Sequence, residues 1–470
     1  MNINKNKSCL VLCPSLFKRL PLIGFAYLYS YIRSAGFEVE VFDINASYDW
    51  PHNDEEEIWG NKDYVEKFYN EHKDIFEQIA HKIINSNVTL VGFSIWASTK
   101  LVSLALAKTI KDKNKEILIV FGGPECSFSG EELIRNESVD VVVLGEGEQA
   151  LLEIHKLLNT NMQIEGCAGT ITKKHGEIVC NPPREEILDL DRLSFPDYSV
   201  FDLKRYNIST ALPISFGRGC IRRCVFCNTH VSWSKLRVRK AANILAEMKT
   251  QIKKHPHVRK FEVDDTALNL NPEMLSELCD LMIKNNVKIK WGGSGIIRKD
   301  MTRELLFKMA RAGCNCIGYG LESGSQKIID LIGKGFKIED ADKVIKDTFE
   351  AGIETILQII IGFPGETDED FSETLNFIER NKSYISWVHA PSECTVNSNT
   401  YMNMFPDKFG IVVPENGKWY SKSGGNNHDE RQKRINIFNE FLNKAGVTNK
   451  HYTQMFTDNR AEKSSVVKSN

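Results

Sequence analysis

The sequence predicts an α/β protein with a flavodoxin-like, doubly wound parallel sheet, then a partial (β/α)6 barrel and a small helical C-terminal tail. Short apolar runs alternate with amphipathic helical patterns up to about residue 155, and a second such series begins at Ile214. The stretch between the two series carries Pro182, Pro183 and Pro196 and has no clear period. The predicted domains are therefore 1–160, a linker at 161–209, a barrel at 210–400 and an extension at 401–470.

The first series alternates strands and helices in the order that a doubly wound sheet requires. The predicted strands are Cys9–Cys13, Val39–Ile44, Thr89–Ile95, Ile117–Phe121 and Val139–Leu144. The predicted helices cover Leu22–Ala35, Ile75–Ile84, Leu101–Lys111 and Glu131–Asn136, and another begins after Glu148. Sheets of this class bind ligands beyond the carboxyl ends of their strands, so we expect a ligand site at that edge. The segment Tyr48–Asn70 interrupts the series with acids and aromatics, and we interpret it as an insertion, with a lid as one reading.

The second series contains six strand patterns separated by amphipathic helices. The predicted strands are Ile214–Phe216, Lys260–Val263, Lys288–Gly292, Cys316–Gly320, Thr355–Ile361 and Ile385–Val388. The predicted helices are Ala242–Lys253, Pro272–Asn285, Arg303–Ala312, Lys337–Ala351 and Asp368–Asn381. Six repeats predict a barrel shorter than the usual eight-stranded form. We also expect a hairpin around His175–Gly176, a helix at Glu430–Ala445, and disorder over about the last 15 residues, which are polar.

Composition and charge argue against several classes of function. The 470 residues include 60 lysines and arginines against 62 aspartates and glutamates, and a nucleic-acid partner would need a clustered basic surface instead. No apolar run approaches the roughly 20 residues that span a bilayer. The first apolar run is followed by Lys18 and Arg19 without a small-residue cleavage site. We therefore interpret that run as a buried strand rather than a signal peptide, and we expect a cytoplasmic protein.

Three of the twelve cysteines are grouped in one short loop directly after the first strand of the second series. The loop reads Gly217-Arg-Gly-Cys220-Ile-Arg-Arg-Cys224-Val-Phe-Cys227. Cysteine thiolates hold the irons of a [4Fe–4S] cluster, and three thiolates leave one iron open to a small molecule. A Cys3His zinc site that includes His230 is the alternative, although the loop lacks the second CxxC or the paired histidines usual for zinc.

This loop resembles that of the radical S-adenosylmethionine superfamily, which has the same cysteine spacing and often an aromatic residue before the third cysteine. The resemblance implies that the cysteines bind a [4Fe–4S] cluster, whose open iron chelates the amino acid moiety of S-adenosylmethionine. It also implies contacts to S-adenosylmethionine from the carboxyl ends of the barrel strands. The residues at these positions are Phe226, Asp264, Arg298, Glu322, Ser323 and Gly362.

The resemblance assigns a role to most of these residues. Asp264 would lie near the methionine amino group, and Arg298 would pair with the methionine carboxylate. Glu322 and Ser323 would approach the ribose hydroxyls or the carboxylate, and the stretch Ile360–Glu366 would present its backbone to the adenine. The alternative interpretations are helix caps for Asp265 and Ser323 and surface ion pairs for Arg298 and Glu366.

Three phrases of the first domain resemble the cobalamin-binding domain that precedes many radical S-adenosylmethionine enzymes. They are Val91-Gly-Phe-Ser94, Phe121-Gly-Gly-Pro124 and Leu144-Gly-Glu-Gly-Glu148. Glycines at such strand ends allow a bulky ligand to approach the backbone closely. The implied cobalamin contacts are Ser94, Gly122, Gly123, Pro124, Gly145, Glu146 and Gly147. Ordinary tight βα turns are the alternative interpretation.

One motif of many cobalamin domains is missing from the sequence. This motif, Asp-x-His-x-x-G, supplies the histidine that ligates cobalt from below. The loop after the first strand reads Pro14-Ser-Leu-Phe-Lys-Arg-Leu-Pro21 instead. The lower cobalt ligand is therefore undefined, and a degenerate domain that no longer binds cobalamin stays open as an alternative.

Together, the two resemblances imply a cobalamin-dependent radical enzyme of the class B methyltransferase type. It would methylate an unactivated carbon through a 5′-deoxyadenosyl radical and methylcobalamin. Cobalamin-assisted cyclisation, ring contraction or oxidation without methyl transfer is the main alternative, and a non-catalytic cobalamin or cluster sensor is a distant one. The expected partners are a small-molecule or peptide substrate and a flavodoxin- or ferredoxin-type reductant.

The remaining candidates are weaker. Those that follow the sixth strand, and would face a substrate unless they only pack, are His389, Glu393 and Cys394. Cys314 and Cys316 would point to one face of a strand, either as ligands or as small core residues. The segment 419–427, with two aromatic residues and two glycines, would either close over the barrel mouth or form a solvated loop.

Overall fold

The computed structural model describes residues 7–14, 18–51, 56–414 and 417–450. The chain divides into two compact units. The first comprises Met1–Ser209, Pro213–Cys220 and Asn228–Asn243, and the second comprises Thr210–Leu212, Ile221–Cys227 and Ile244–Asn470. None of the helices in the described ranges is long and apolar enough to cross a lipid bilayer.

The first unit is built on a mostly parallel sheet. Its strands are β1 (Lys7–Leu12), β2 (Glu38–Asp43), β3 (Leu90–Ser94), β4 (Leu118–Gly122), β5 (Val141–Val143), β6 (Thr170–Lys174) and β7 (Glu177–Cys180). They lie in the order β2-β1-β3-β4-β5-β6-β7. The first five strands pair in parallel, which confirms the flavodoxin-like order. The predicted hairpin at His175–Gly176 joins β6 and β7, which extend the sheet in antiparallel fashion, so the expected linker contributes to this unit.

Helices cover the sheet of the first unit. They are α1 (Ile23–Ser34), α2 (Ile44–Ser47), α3 (Lys62–Glu71), α4 (Lys73–Asn85), α5 (Lys100–Lys113), α6 (Cys126–Arg135) and α7 (Gly147–Asn159). Helix α6 starts before the predicted Glu131 because it contains a kink at Ser129. Trp50, Trp59 and Phe68 of the expected insertion are buried in the core. A lid would have to withdraw these rings from the core, so this segment, whose residues 52–55 lie outside the described ranges, is better interpreted as part of the fold.

A two-stranded ribbon completes the first unit. It consists of β9 (Gly217–Arg218) and β10 (Arg237–Val238), which pair in antiparallel fashion, and the short helix α8 (Thr229–Ser232) lies between them in the chain. The strand predicted at Ile214–Phe216 ends at Ile214 in the structure, because the chain changes its pairing partner there to form the ribbon. The ribbon therefore leads directly into Cys220.

The second unit contains the predicted barrel-type sheet. Its strands are β8 (Ala211–Ile214), β11 (Lys260–Val263), β12 (Lys290–Gly295), β13 (Cys314–Glu322), β14 (Glu354–Ile361), β15 (Trp387–His389), β16 (Ser392–Glu393), β17 (Ile411–Val412), β18 (Tyr420–Ser421) and β19 (Asn449–Lys450). The main sheet has the order β19-β15-β14-β13-β12-β11-β8. The six predicted strands follow one another in this order. Beyond them, β19 from the C-terminal extension pairs in parallel with β15.

The helices of the second unit match the predicted ones and add others. They are α9 (Ala241–Lys254), α10 (Pro272–Lys284), α11 (Arg303–Arg311), α12 (Gln326–Ile332), α13 (Ile338–Glu350), α14 (Asp368–Asn381), α15 (Tyr401–Met404) and α16 (His428–Ala445). Helix α12 was not predicted. Helix α16 buries Arg431, Arg434 and Phe438, so the C-terminal extension is an integral part of this unit rather than a tail. The residues expected to be disordered, 451–470, lie outside the described ranges.

Candidate functional site

Ser94, Gly122 and Gly123 lie together at the carboxyl edge of the first sheet. Ser94 ends β3 and is the direct register partner of Gly122 at the end of β4. Gly123 has a φ of +101°, and an added Cβ would lie 2.8 Å from the backbone nitrogen of Ile95. Only glycine fits there. The turn that also contains Pro124 is thus packed tightly against the β3 turn, which matches the alternative of an ordinary tight βα turn at this glycine.

The Gly145–Gly147 loop follows β5 at the same edge and has an open side. Gly145 has a φ of +70°, and an added Cβ there would meet no atom within 4 Å. It lines a cavity of about 550 Å³ together with Ser127, Gly169 and His230. Exposed glycine backbone beside a cavity fits a bulky ligand such as cobalamin.

The carboxylate of Glu146 is already bound by other groups of the first unit. Its carboxylate accepts hydrogen bonds from the guanidinium of Arg218 at 2.7 Å and from the backbone N–H of Ile187 at 2.8 Å. The predicted contact of Glu146 with cobalamin is therefore limited to its backbone. His230, the fourth ligand of the zinc alternative, lies in the first unit and lines the cavity.

The cysteine loop begins in the first unit and ends in the second. Cys220, which is half-buried, follows β9 and Gly219, whose added Cβ would lie 2.4 Å from the carbonyl oxygen of Lys235. In the second unit, Cys224 and Cys227 are also half-buried, and the Cys227 N–H donates to the Cys224 carbonyl at 3.0 Å. Within the described ranges, no three His, Cys, Asp or Glu side chains are grouped as the ligands of a metal ion would be. A [4Fe–4S] cluster is held differently, by thiolates on separate irons.

The C-terminal extension holds the second half of the cysteine loop. The Val225 N–H donates to the carbonyl of Ile332 at 3.0 Å, and the Val225 carbonyl accepts from the Met402 N–H at 3.1 Å. Phe226 packs in an apolar cluster with Trp419 and Phe363. Trp419 is therefore a core residue, which contradicts the solvated-loop alternative for this side chain.

A buried lysine lies beside Cys224 and Cys227. Lys334 Nζ donates to Glu322 Oε1 at 2.6 Å and to the carbonyl of Gly320 at 3.0 Å, and it lies 5.8 Å from the centre of the Phe226 ring. Burial by itself would lower the pKa of Lys334, but the charges of Glu322 and of the Cys224 and Cys227 thiolates raise it. A cation that stays protonated beside two thiols fits the negative charge of a thiolate-bound cluster.

Sequence reasoning missed Lys334. The sequence feature that could have pointed to it is the position of Lys334 between two glycines directly after a helix. Gly333 caps α12 in the left-handed conformation. Glu322, in contrast, was predicted. It has a φ of +68°, which is a strained conformation for a residue with a side chain and is typical of functional sites.

Two other predicted contacts of S-adenosylmethionine have partners inside the protein. The Ser323 hydroxyl lies 3.1 Å from the Thr374 hydroxyl and accepts from the Ser325 N–H at 3.1 Å. The N-cap of α12 is Ser325 rather than Ser323, so these bonds hold the loop before the helix. The Arg298 guanidinium donates to Asp300 at 2.7 Å and to the carbonyl of Leu270 at 2.8 Å, which favours the ion-pair alternative. Asp264 follows β11 and is exposed.

The Gly362–Glu366 loop is held by helix α16. The Gly362 N–H donates to Glu366 Oε2 at 2.9 Å, and Glu366 Oε2 also accepts from Arg434 Nη1 at 2.9 Å. Gly362 has a φ of +79°, and an added Cβ would lie 2.3 Å from Arg431 Cγ. Burial raises the pKa of Glu366 to about 7, against the opposing charge of Arg434.

The weaker candidates are mostly structural. Arg431 Nε donates to Glu393 at 2.8 Å. The two ion pairs made by α16, Arg431–Glu393 and Arg434–Glu366, are here called the helix cluster. Among the weaker candidates, three cysteine side chains are also buried, those of Cys314, Cys316 and Cys394. His389 Nδ1 lies 2.9 Å from the carbonyl oxygen of Ala390.

Two family models match this chain. The Radical SAM superfamily model covers residues 214–378, and the B12 binding domain model covers residues 11–155. The first range contains the cysteine loop, and the second contains the three glycine-bearing strand ends. The chain therefore joins a B12 binding domain to a Radical SAM domain. Its cofactors are a [4Fe–4S] cluster, S-adenosylmethionine and cobalamin, which confirms the cofactors predicted from the sequence.

Similar proteins include methyltransferases and a cyclase. An uncharacterized methyltransferase of Pyrococcus horikoshii is 26% identical over 311 residues, which are 65% of this chain and 67% of that protein. The anaerobic magnesium-protoporphyrin IX monomethyl ester cyclase of Rubrivivax gelatinosus is 26% identical over 324 residues, which are 66% of this chain and 58% of that protein. The chain thus spans 67% and 58% of the lengths of these two relatives.

The fold is similar to a solved structure of the radical S-adenosylmethionine methyltransferase TsrM from Kitasatospora setae with cobalamin and a [4Fe–4S] cluster bound. The TM-score is 0.69 at 17% sequence identity, and the match covers 87% of this chain and 79% of that chain. This likeness confirms the predicted α/β fold class.

Proposed function

We propose that this enzyme transfers a methyl group to an unactivated carbon of a small-molecule or peptide substrate. The names of the Pyrococcus horikoshii relative and of TsrM support methyl transfer. When bound, the three cofactors supply one-electron cleavage of a sulfonium and a carrier for the methyl group. The chain itself has to hold these groups, keep water away from them and position the substrate.

The observation that carries the proposal is the half-buried loop that contains Cys220, Cys224 and Cys227. The proposed donor set for the cluster is the one that the sequence predicts, namely Cys220, Cys224 and Cys227. Beside this loop, Lys334 donates to Glu322 and lies 5.8 Å from the centre of the Phe226 ring. The Cys224 and Cys227 thiolates add to the charge of Glu322 in raising the pKa of Lys334, against the effect of burial.

The same lysine changes the proposed contacts of S-adenosylmethionine. Arg298 would have to give up Asp300 before it could pair with a carboxylate of the ligand. Lys334 is a second candidate partner for that carboxylate, and it would likewise have to give up Glu322. Glu322 would remain a polar contact, and the Gly362 loop would present its backbone to the adenine.

For cobalamin we propose the edge formed by Ser94, Gly122, Gly123, Pro124 and the Gly145–Gly147 loop. The support is the register of β3 and β4 and the open side of Gly145 beside the cavity. The corrin is large and must approach backbone closely, which the glycines allow.

A second candidate function is cyclisation or another radical rearrangement without methyl transfer. It is supported by the similarity to the cyclase of Rubrivivax gelatinosus, which spans 66% of this chain. The same residues would hold the cofactors in both reactions. The two functions differ in whether S-adenosylmethionine also yields S-adenosylhomocysteine.

The test is an anaerobic assay of the full chain, reconstituted with iron and sulfide and supplied with hydroxocobalamin. A flavodoxin- or ferredoxin-type protein or an artificial donor provides electrons, and mass spectrometry quantifies the products of S-adenosylmethionine. Formation of both 5′-deoxyadenosine and S-adenosylhomocysteine supports methyl transfer, whereas 5′-deoxyadenosine alone supports rearrangement.

A matched pair of variants makes the assay specific. Cys224→Ala should abolish 5′-deoxyadenosine formation, while Cys180→Ala, which removes an exposed cysteine outside the loop, should leave it unchanged. Absence of 5′-deoxyadenosine from wild-type protein with a reducible cluster would overturn both candidate functions.

A further inference from the structure

Two buried arginines face each other on the ribbon that leads into the cysteine loop. Arg218 on β9 and Arg237 on β10 are direct cross-strand partners, and their side chains are only 13% and 4% exposed. Like charges placed opposite each other on paired strands repel. The ribbon therefore needs carboxylates close by to be stable.

Those carboxylates come from the loop after β5 and from the first turn of α7. Arg218 donates from Nη1 to Glu146 Oε1 at 2.7 Å and from Nη2 to Glu148 Oε1 at 2.6 Å, and Arg237 Nη1 donates to Glu146 Oε1 at 2.8 Å. We call Arg218, Arg237, Glu146 and Glu148 the ribbon cluster. All four side chains belong to the first unit and are at least 87% buried.

The loop that supplies Glu146 also lines the cavity. Gly145 turns its open side to the cavity, while the next residue, Glu146, binds both arginines. The glycine that faces the cavity and the glutamate that binds the arginines are thus adjacent in the chain. A ligand that moves or stiffens the backbone of Gly145 must act on Glu146 as well.

The path along the chain from Arg218 to Cys220 is also short. Arg218 is two residues before Cys220, and the intervening Gly219 has a φ of +93°, where an added Cβ would collide with the carbonyl of Lys235. This packing leaves little freedom between the guanidinium and the cysteine. The position of Arg218 therefore determines where Cys220 lies relative to its own unit.

We propose that Arg218, Glu146 and Glu148 form a positioning device that couples occupancy of the cobalamin site to the geometry of Cys220. The proposal rests on the proposed function, in which Cys220 binds the cluster and the Gly145–Gly147 loop contacts cobalamin. Arginine is required because its planar fork binds both carboxylates at once, which a lysine ammonium does not reproduce. By linkage, each cofactor then tightens the binding of the other by the same factor.

The experiment measures that factor directly. Hydroxocobalamin is titrated by absorbance into the full chain before and after reconstitution with iron and sulfide, both anaerobically. We expect the wild type to bind hydroxocobalamin about fivefold or more tightly once the cluster is present, which is the lower range of ordinary coupling. In Arg218→Gln, Arg218→Lys and Glu148→Gln the ratio should fall to near one.

A matched control separates positioning from general stability. Arg239 is a buried arginine next to the same ribbon, but it donates to the carbonyl of Ser215 and to Asn243 instead. Arg239→Lys should keep the wild-type ratio. Circular dichroism of each variant establishes that it is folded, and the conservative Glu148→Gln, which keeps the shape of the side chain, tests the idea if an Arg218 variant does not fold.

The outcomes distinguish this inference from the proposed function. A wild type that binds both cofactors with a ratio of one overturns the coupling and leaves the proposed function standing. Folded Arg218 variants with the wild-type ratio, or a loss of coupling in Arg239→Lys equal to theirs, also overturn it. Failure of the wild type to bind hydroxocobalamin or to form a cluster overturns both.

Discussion

Both units hold a glutamate-bearing loop with buried arginines, but they leave the carboxylates in different ionisation states. In the ribbon cluster, burial by itself would raise the pKa of Glu148, yet the charge and hydrogen bond of Arg218 hold it below its ordinary value. In the helix cluster, burial raises the pKa of Glu366 to about 7 in spite of Arg434. The two loops have the same position in their folds, between a parallel strand and the helix that follows.

The difference lies in how the arginines are shared. Arg218 bonds to Glu146 through Nη1 and to Glu148 through both Nη atoms, and Arg237 adds a further bond to Glu146. Arg434 gives its second Nη to Asp368, which is exposed. A nearby arginine is therefore not sufficient to keep a buried carboxyl ionised, because the bonds it makes to that carboxyl must outweigh desolvation.

The largest effect should come from removing the shared arginine of the ribbon cluster. Arg218→Ala leaves Glu148 as a buried, uncompensated charge, and we expect the free energy of unfolding to fall by about 3–5 kcal/mol. Arg434→Ala should cost clearly less, because Glu366 can take up a proton near neutral pH. Urea denaturation of both variants at pH 7.5 measures the difference, and an equal or larger cost for Arg434→Ala would contradict it.

The next effect tests how closely helix α16 holds its loop. Gly362→Ala places a Cβ against Arg431 Cγ at a φ of +79°, and overpacking and backbone strain together should cost about 2–4 kcal/mol. Gly365→Ala is the matched control, with a φ of +85° and Leu331 Cδ1 at 3.7 Å as the nearest atom. Gly365→Ala should lower the free energy of unfolding only through backbone strain, by about 1 kcal/mol. Thermal unfolding of the two variants distinguishes them, and equal costs would show that the Arg431 contact is not tight.

The ionisation of Glu366 gives a third prediction, with a definite sign. Between about pH 4.5 and 7 the folded carboxyl keeps a proton that the unfolded one has lost, so its contribution to stability falls as pH rises through that range. Glu366→Gln does not titrate. Relative to this variant, the wild type should lose up to about 3 kcal/mol of unfolding free energy from pH 4.5 to 7. Unfolding midpoints at pH 5, 6, 7 and 8 measure the trend, and a constant difference would show that Arg434 keeps Glu366 ionised.

The alternating pattern predicted most of the fold, because long buried strands and amphipathic helices carry their own signal. The helices and strands that the sequence pattern did not predict are short, or they continue a region whose sequence has no hydrophobic period. Helix α12 covers only Gln326–Ile332, and β19 is the pair Asn449–Lys450. Neither is long enough to show a period, and β19 exists only because β15 offers it an edge.

The candidate site was predictable where residues close in sequence act together. The spacing of Cys220, Cys224 and Cys227 is visible in one loop, and so are the glycines at the strand ends. Lys334 and Arg218 were missed because their partners are distant: Arg218 meets Glu148 across 70 residues of chain. A lone basic residue between glycines carries no sign of such a partner until the fold brings the two together.

The smallest loss of stability should come from breaking an exposed ion pair. This variant tests whether burial sets the strength of the ribbon cluster. Arg380 pairs with Asp342 at 3.0 Å through side chains that are 45% and 34% exposed. Exposed pairs of this kind contribute less than about 1 kcal/mol, because water screens the charges. Arg380→Ala, measured by urea denaturation beside Arg218→Ala, should therefore lie below that value. A cost similar to that of Arg218→Ala would mean that burial does not set the strength of the ribbon cluster, and its role in holding Cys220 would need another physical basis.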